Sequence, residues 1–160
     1  MYRLLCFIFL LLCMNTQADN LNCQLDVVPI SLEGQPHPLQ FTLTNQSKDE
    51  LQILIWHTPL EGFWSDLFLI TDLSTDRPLP YQGPMAKRGA PTEEDTLVLA
   101  PGQQQSATLD LTEAYALKAG HYKLQIRQKP TQPECYQQLA TLSWQFEIRT
   151  SPHATAEHEY

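Results

Sequence analysis

Residues 142–149 constrain the fold more than any other stretch of this chain. Leu142, Trp144, Phe146 and Ile148 alternate with Ser143, Gln145, Glu147 and Arg149. One face is therefore apolar and the other polar, at a period of two. A helix would scatter those apolar side chains around its circumference, whereas a half-buried strand lines them up. The same period recurs upstream. Leu39, Phe41 and Leu43 alternate with Gln40, Thr42 and Thr44. Ala107, Leu109 and Leu111 repeat it, and Tyr122, Leu124 and Ile126 share a face within 121–128. Residues 24–30, 67–71 and 96–100 are further short runs with strand character. In 51–56 Leu51, Ile53 and Ile55 alternate with Gln52, Leu54 and Trp56, so both faces carry apolar residues. That pattern predicts a central strand.

Turn segments at 45–50, 74–78 and Pro101-Gly102 separate these runs. About eight short strands broken by turns predict an all-β fold, an immunoglobulin-like Greek-key β-sandwich. One short helix is expected within it. Asp110 can cap that helix, Glu113 follows at capping-box spacing, and Gly120 offers a left-handed stop. Gly120-His121-Tyr122, opening a strand, resembles the tyrosine corner of such sandwiches.

The chain has 160 residues, which bounds it to one modest domain. Its start reads as a secretory signal. Arg3 lies in a short basic region, residues 4–14 are unbroken apolar, and Thr16-Gln17-Ala18 sets cleavage after Ala18. The apolar run is shorter than the roughly 20 residues a bilayer span requires. Residues 1–18 are thus expected to be a signal peptide, 19–150 one β-sandwich domain and 151–160 a flexible polar tail. The expected location is secreted or periplasmic, with no membrane insertion once the signal is gone.

Cys23 and Cys135 remain beyond the signal, an even pair in an oxidising compartment. They are too far apart in sequence for a metal motif and are expected to form one disulfide. All 18 Asp and Glu lie beyond the signal, against 10 Lys and Arg in the whole chain. No nucleic-acid partner is therefore expected, since phosphate affinity needs a basic surface.

Enzymatic chemistry finds no support. There is no His-Glu-x-x-His zinc motif, no Gly-x-Ser-x-Gly elbow around Ser65 and Asp66, and no Gly-rich phosphate loop. Met85 is the single methionine beyond the signal, which argues against a copper carrier built on thioethers. His57 reads as a structural histidine, and His153 and His158 lie in the tail. No cofactor or metal is expected. Asn45-Gln46-Ser47 matches a glycosylation sequon, a pattern common by chance.

The connection from Pro80 to Asp95 is the strongest candidate for function. Loops longer than about a dozen residues are uncommon in compact domains and often functional. It carries Tyr81, Met85, Lys87, Arg88, Glu93 and Glu94 between prolines that stiffen it. These six residues are the expected partner-binding set.

Several motifs carry a family resemblance. They are Trp56 with Thr58-Pro59-Leu60-Glu61-Gly62-Phe63, then Pro80-Tyr81-x-Gly83-Pro84, Lys87-Arg88-Gly89 and Pro91-Thr92. Pro101-Gly102 and Asp110-Leu111-x-Glu113-Ala114-Tyr115 complete them. Together, over roughly residues 39–126, they resemble the non-catalytic N-terminal or propeptide β domain of secreted zinc endopeptidases. These are the deuterolysin and peptidyl-Lys metalloendopeptidase family, the aspzincins, whose zinc motifs do not occur here. The resemblance implies a propeptide-like binding protein, an inhibitor or folding chaperone of a secreted zinc metalloendopeptidase. A general exported protein-binding or structural module is the alternative.

Overall fold

The computed structural model describes residues 20–152. The expected signal peptide, and the tail beyond Pro152 with His153 and His158, lie outside the described residues. Among the described residues ten strands and one α-helix occur in the order β1 (Leu21–Val27), β2 (Ile30–Leu32), β3 (Pro38–Asn45), β4 (Leu51–Leu54), β5 (Phe68–Asp72), β6 (Arg77–Pro78), β7 (Thr96–Leu99), β8 (Gln104–Asp110), β9 (Gly120–Ile126), α1 (Glu134–Leu139) and β10 (Trp144–Arg149).

The chain forms the all-β sandwich that the alternation predicts. One sheet runs β1-β3-β8 and the other β2-β10-β9-β5-β6. All pairings are antiparallel except that β2 lies parallel to β10. Connections that cross between these two sheets in this order give the immunoglobulin-like Greek key. Leu39, Phe41 and Leu43 of β3 face Leu124 and Ile126 of β9, Ile70 of β5, and Phe146 and Ile148 of β10 across one core.

Four local expectations change. Residues 24–30 do not make one strand. Pro29 cannot donate to a ladder and restricts the residue before it. The chain therefore leaves the first sheet at Val27 and joins the second at Ile30. Second, β4 is not central. It pairs with β7 alone, in a two-stranded ribbon that resumes the β3–β8 ladder beyond a corner. The buried Asn45 amide fixes that corner by donating to the Asp49 and Leu99 carbonyls at 2.8 and 2.9 Å.

Third, the expected helix after Asp110 is a single 3₁₀ turn, Leu111–Glu113. Asp110 caps it through the Thr112 N–H, as expected. Propagation stops because the buried Tyr115 is held elsewhere, its hydroxyl donating to Asp66 and Phe68. Gly120 opens β9 instead of ending a helix. The short α-helix lies at Glu134–Leu139, in a stretch that reads as loop. It is pinned by the Cys23–Cys135 disulfide, with Cα atoms 5.3 Å apart, and by Tyr136 packed edge-on against Phe41. Fourth, Trp144 points inward with Phe146 but is only half-buried.

The tyrosine corner is present. Tyr122, near the start of β9, donates its hydroxyl to the Lys118 carbonyl at 2.9 Å and accepts from the Lys118 N–H at 3.2 Å.

Candidate functional site

The 80–95 loop leaves β6 and returns at β7, so it carries the chain from the second sheet to the β4–β7 ribbon. It is tied down at successive points. Tyr81 folds back over Gly83, and its hydroxyl reaches the Phe63 and Pro84 carbonyls at 3.1 and 2.8 Å. A Cβ on residue 83 would lie 2.5 Å from that hydroxyl, so the approach requires glycine. The Gln82 N–H donates to the Ala114 carbonyl at 2.8 Å and the Ala86 N–H to the Trp64 carbonyl at 2.9 Å. Tyr81 also packs edge-on against Tyr115.

The far end is held by a polar cluster. Arg88 lies over the Trp56 ring, 5.0 Å from its centroid, and ion-pairs with Glu61. The Glu61 side chain is 5% exposed. Burial raises its carboxyl above the ordinary range, while the His57 N–H and Arg88 pull it back. Trp56 donates its indole N–H to Asp95 at 2.7 Å, and Asp95 also accepts from the Thr92 N–H and hydroxyl. These bonds, the Thr92 amide foremost, hold the Asp95 carboxyl low.

His57 makes the reversal that brings Glu61 into place. Its φ is 60°, a left-handed conformation costing about 1 kcal/mol. Two bonds secure it, from its own N–H to Glu61 and from the Gln132 side chain to its carbonyl, both 2.7 Å. Burial, then Lys129 and Arg88, depress the His57 imidazole. Thr58 then caps the 3₁₀ turn Pro59–Glu61.

The six residues of the expected binding set divide in this framework. Tyr81 and Arg88 are braces, engaged with their own chain. Met85 and Lys87 are exposed between those braces. Glu93 and Glu94 are exposed on the 3₁₀ turn before β7. Trp64, 53% exposed, was not in the set. Its signal was an aromatic residue following Gly62-Phe63 at the entry to a polar loop.

Other candidate groups serve the fold. Ser65 is buried, and Asp66 pairs with Arg127 at 2.9 Å and accepts from Tyr115. Asn45 is fully buried with its amide engaged, so its sequon is inaccessible in the folded chain. Among the described residues no three His, Cys, Asp or Glu side chains are grouped to hold a metal ion. No helix among them is long and apolar enough to cross a membrane. No protein-family model matches the chain, and no curated protein is detectably similar to it.

Proposed function

We propose that this is an exported protein-binding domain whose braced 80–95 loop inhibits, or chaperones the folding of, a secreted zinc metalloendopeptidase. One observation carries the proposal. Lys87 is exposed between two pinned neighbours, Ala86 bonded to Trp64 and Arg88 clamped by Glu61 and Trp56. A loop already held in one conformation binds with little ordering cost and resists the motion that hydrolysis of its backbone requires.

The family resemblance supplies the target. It includes proteases that select lysine beside the scissile bond through an acidic pocket, and Lys87 is the side chain such a pocket would accept. The Cys23–Cys135 disulfide supports an oxidising destination. Wild type, Lys87→Ala and Lys48→Ala are titrated against lysine-selective secreted metalloendopeptidases. Lys87→Ala should weaken inhibition by about 30-fold or more, as expected when a buried interfacial charge loses its partner. Lys48→Ala, on the distant 45–50 turn, should match wild type. Equal potency of all three discards the Lys87 anchor. No inhibition of any such protease leaves the general exported binding module.

A further inference from the structure

The two most exposed large apolar side chains among the described residues are Met85, at 68%, and Trp64, at 53%. They lie 21 positions apart in sequence, yet the fold sets them on adjoining backbone. The Ala86 N–H bonds to the Trp64 carbonyl, and the Tyr81 hydroxyl bonds to the neighbouring Phe63 carbonyl. Segment 63–64 therefore runs beside segment 81–86. Its base is firm, because the buried Phe63 packs edge-on against Phe68 and Tyr115. Nothing in the core requires either exposed side chain, and both are residue types concentrated at the centre of protein interfaces.

We infer that Trp64, Met85 and Lys87 form one docking surface for a protein whose apolar pocket is bordered by carboxylates. Charge fixes that partner chemistry. Lys87 makes no ion pair among the described residues. The nearby carboxylate, Glu61, is already committed to Arg88 and the His57 N–H. An acidic rim on the partner gives Lys87 its counter-charge, and the pocket takes the indole and the thioether. A two-fold contact with a second copy would set Lys87 against Lys87 and supply no counter-charge, and an anionic bilayer is opposed by the chain's net charge of −8. The inference rests on the loop being a protein-binding surface and is independent of what the target is.

Random peptides displayed on phage are selected against the immobilised chain, and the enriched sequences are synthesised for affinity measurement. Enriched peptides should combine an aromatic or long aliphatic residue with Asp or Glu. Trp64→Ala should weaken them roughly 30-fold or more, the effect of a hot-spot truncation. Met85→Glu should act in the same direction. Lys87→Ala should reduce the salt dependence of binding. Val98→Ala, an exposed apolar residue on β7, should change nothing. Thermal melts of Trp64→Ala and Met85→Glu should match wild type, since both side chains are exposed.

Failure to enrich peptides, enrichment without acidic residues, or undiminished binding to Trp64→Ala overturns the surface. A wild-type dimer in sedimentation that Trp64→Ala dissociates assigns it to self-association and also overturns the proposal. The protease titration separates the two readings. Peptide binding that behaves as expected without protease inhibition retires the inhibitor alone. Inhibition insensitive to Trp64→Ala and Met85→Glu retires this surface alone.

Discussion

Arg88→Ala should unlatch the 80–95 loop at a measurable cost. The guanidinium has two partners, the Trp56 ring and the Glu61 carboxylate. A cation over an exposed or partly exposed aromatic face contributes about 0.5–1 kcal/mol. Removing one member of a fully buried ion pair costs about 3–5 kcal/mol, because the other charge is stranded. Here Glu61 is almost wholly buried but Arg88 remains a quarter exposed. Glu61 also keeps its bond from the His57 N–H. Both facts lower the penalty, to a total of about 2–3 kcal/mol. For a domain of this size that lowers the melting temperature by roughly 6–12 °C.

Glu61→Gln preserves an acceptor for His57 and should cost less. The double-mutant cycle of Arg88→Ala with Glu61→Gln should give a coupling of about 1–2 kcal/mol. The pH dependence has a definite sign. Burial lifts the folded pKa of Glu61 above its unfolded value, so the ionised form is disfavoured in the fold and protonation relieves it. Arg88 opposes that lift. Its stabilising effect is present while Glu61 is ionised and fades as pH falls through the raised value. The Arg88→Ala deficit should therefore be largest near neutrality and shrink in acid. Melts by circular dichroism across that range decide it. A variant melting within about 1 °C of wild type, or a coupling near zero, would refute the latch.

Removing the disulfide by Cys23→Ala with Cys135→Ala should destabilise by about 4–5 kcal/mol in the chain-entropy model, because the bridged positions are 112 apart. Chemical denaturation of wild type and variant measures it, and mass mapping of a non-reduced digest should show the two cysteines joined. Tyr122→Phe deletes the corner bonds to Lys118 and should cost about 1–1.5 kcal/mol without altering the circular dichroism spectrum. A neutral effect would make that corner ornamental.

Legibility in the sequence followed how completely one face of each segment is buried. In β3, Leu39, Phe41 and Leu43 are fully buried between polar neighbours, and the period was unmistakable. Tyr122 was legible because a short local pattern defines its corner, and Cys23 with Cys135 because they are the pair beyond the expected signal. The ribbon strand β4 misled because its two faces are both partly covered, which from composition alone resembles a sheet centre. Helix α1 has six residues, too few to display a helical period, and it depends on tertiary contacts to form. The braces of the candidate site were hidden for a different reason. Trp56, Glu61 and Arg88 meet only through the left-handed turn at His57, and no spacing rule joins positions that a single backbone torsion brings together.

The parallel pairing of β2 with β10 has a consequence for synthesis and assembly. Residues 30–32 find their ladder partners only at 147–149, almost the full length of the described chain away. The disulfide joins positions nearly as distant. Folding thus waits on the last strand, since an amino-terminal fragment has no β10 on which to seat β2. Such non-local closure slows folding relative to helical domains. A newly made chain would keep β2 unseated until β10 emerges. Trimming β10 would strip the edge strand β2 of its ladder and expose β9 as a new sheet edge, since β10 lies between those two strands.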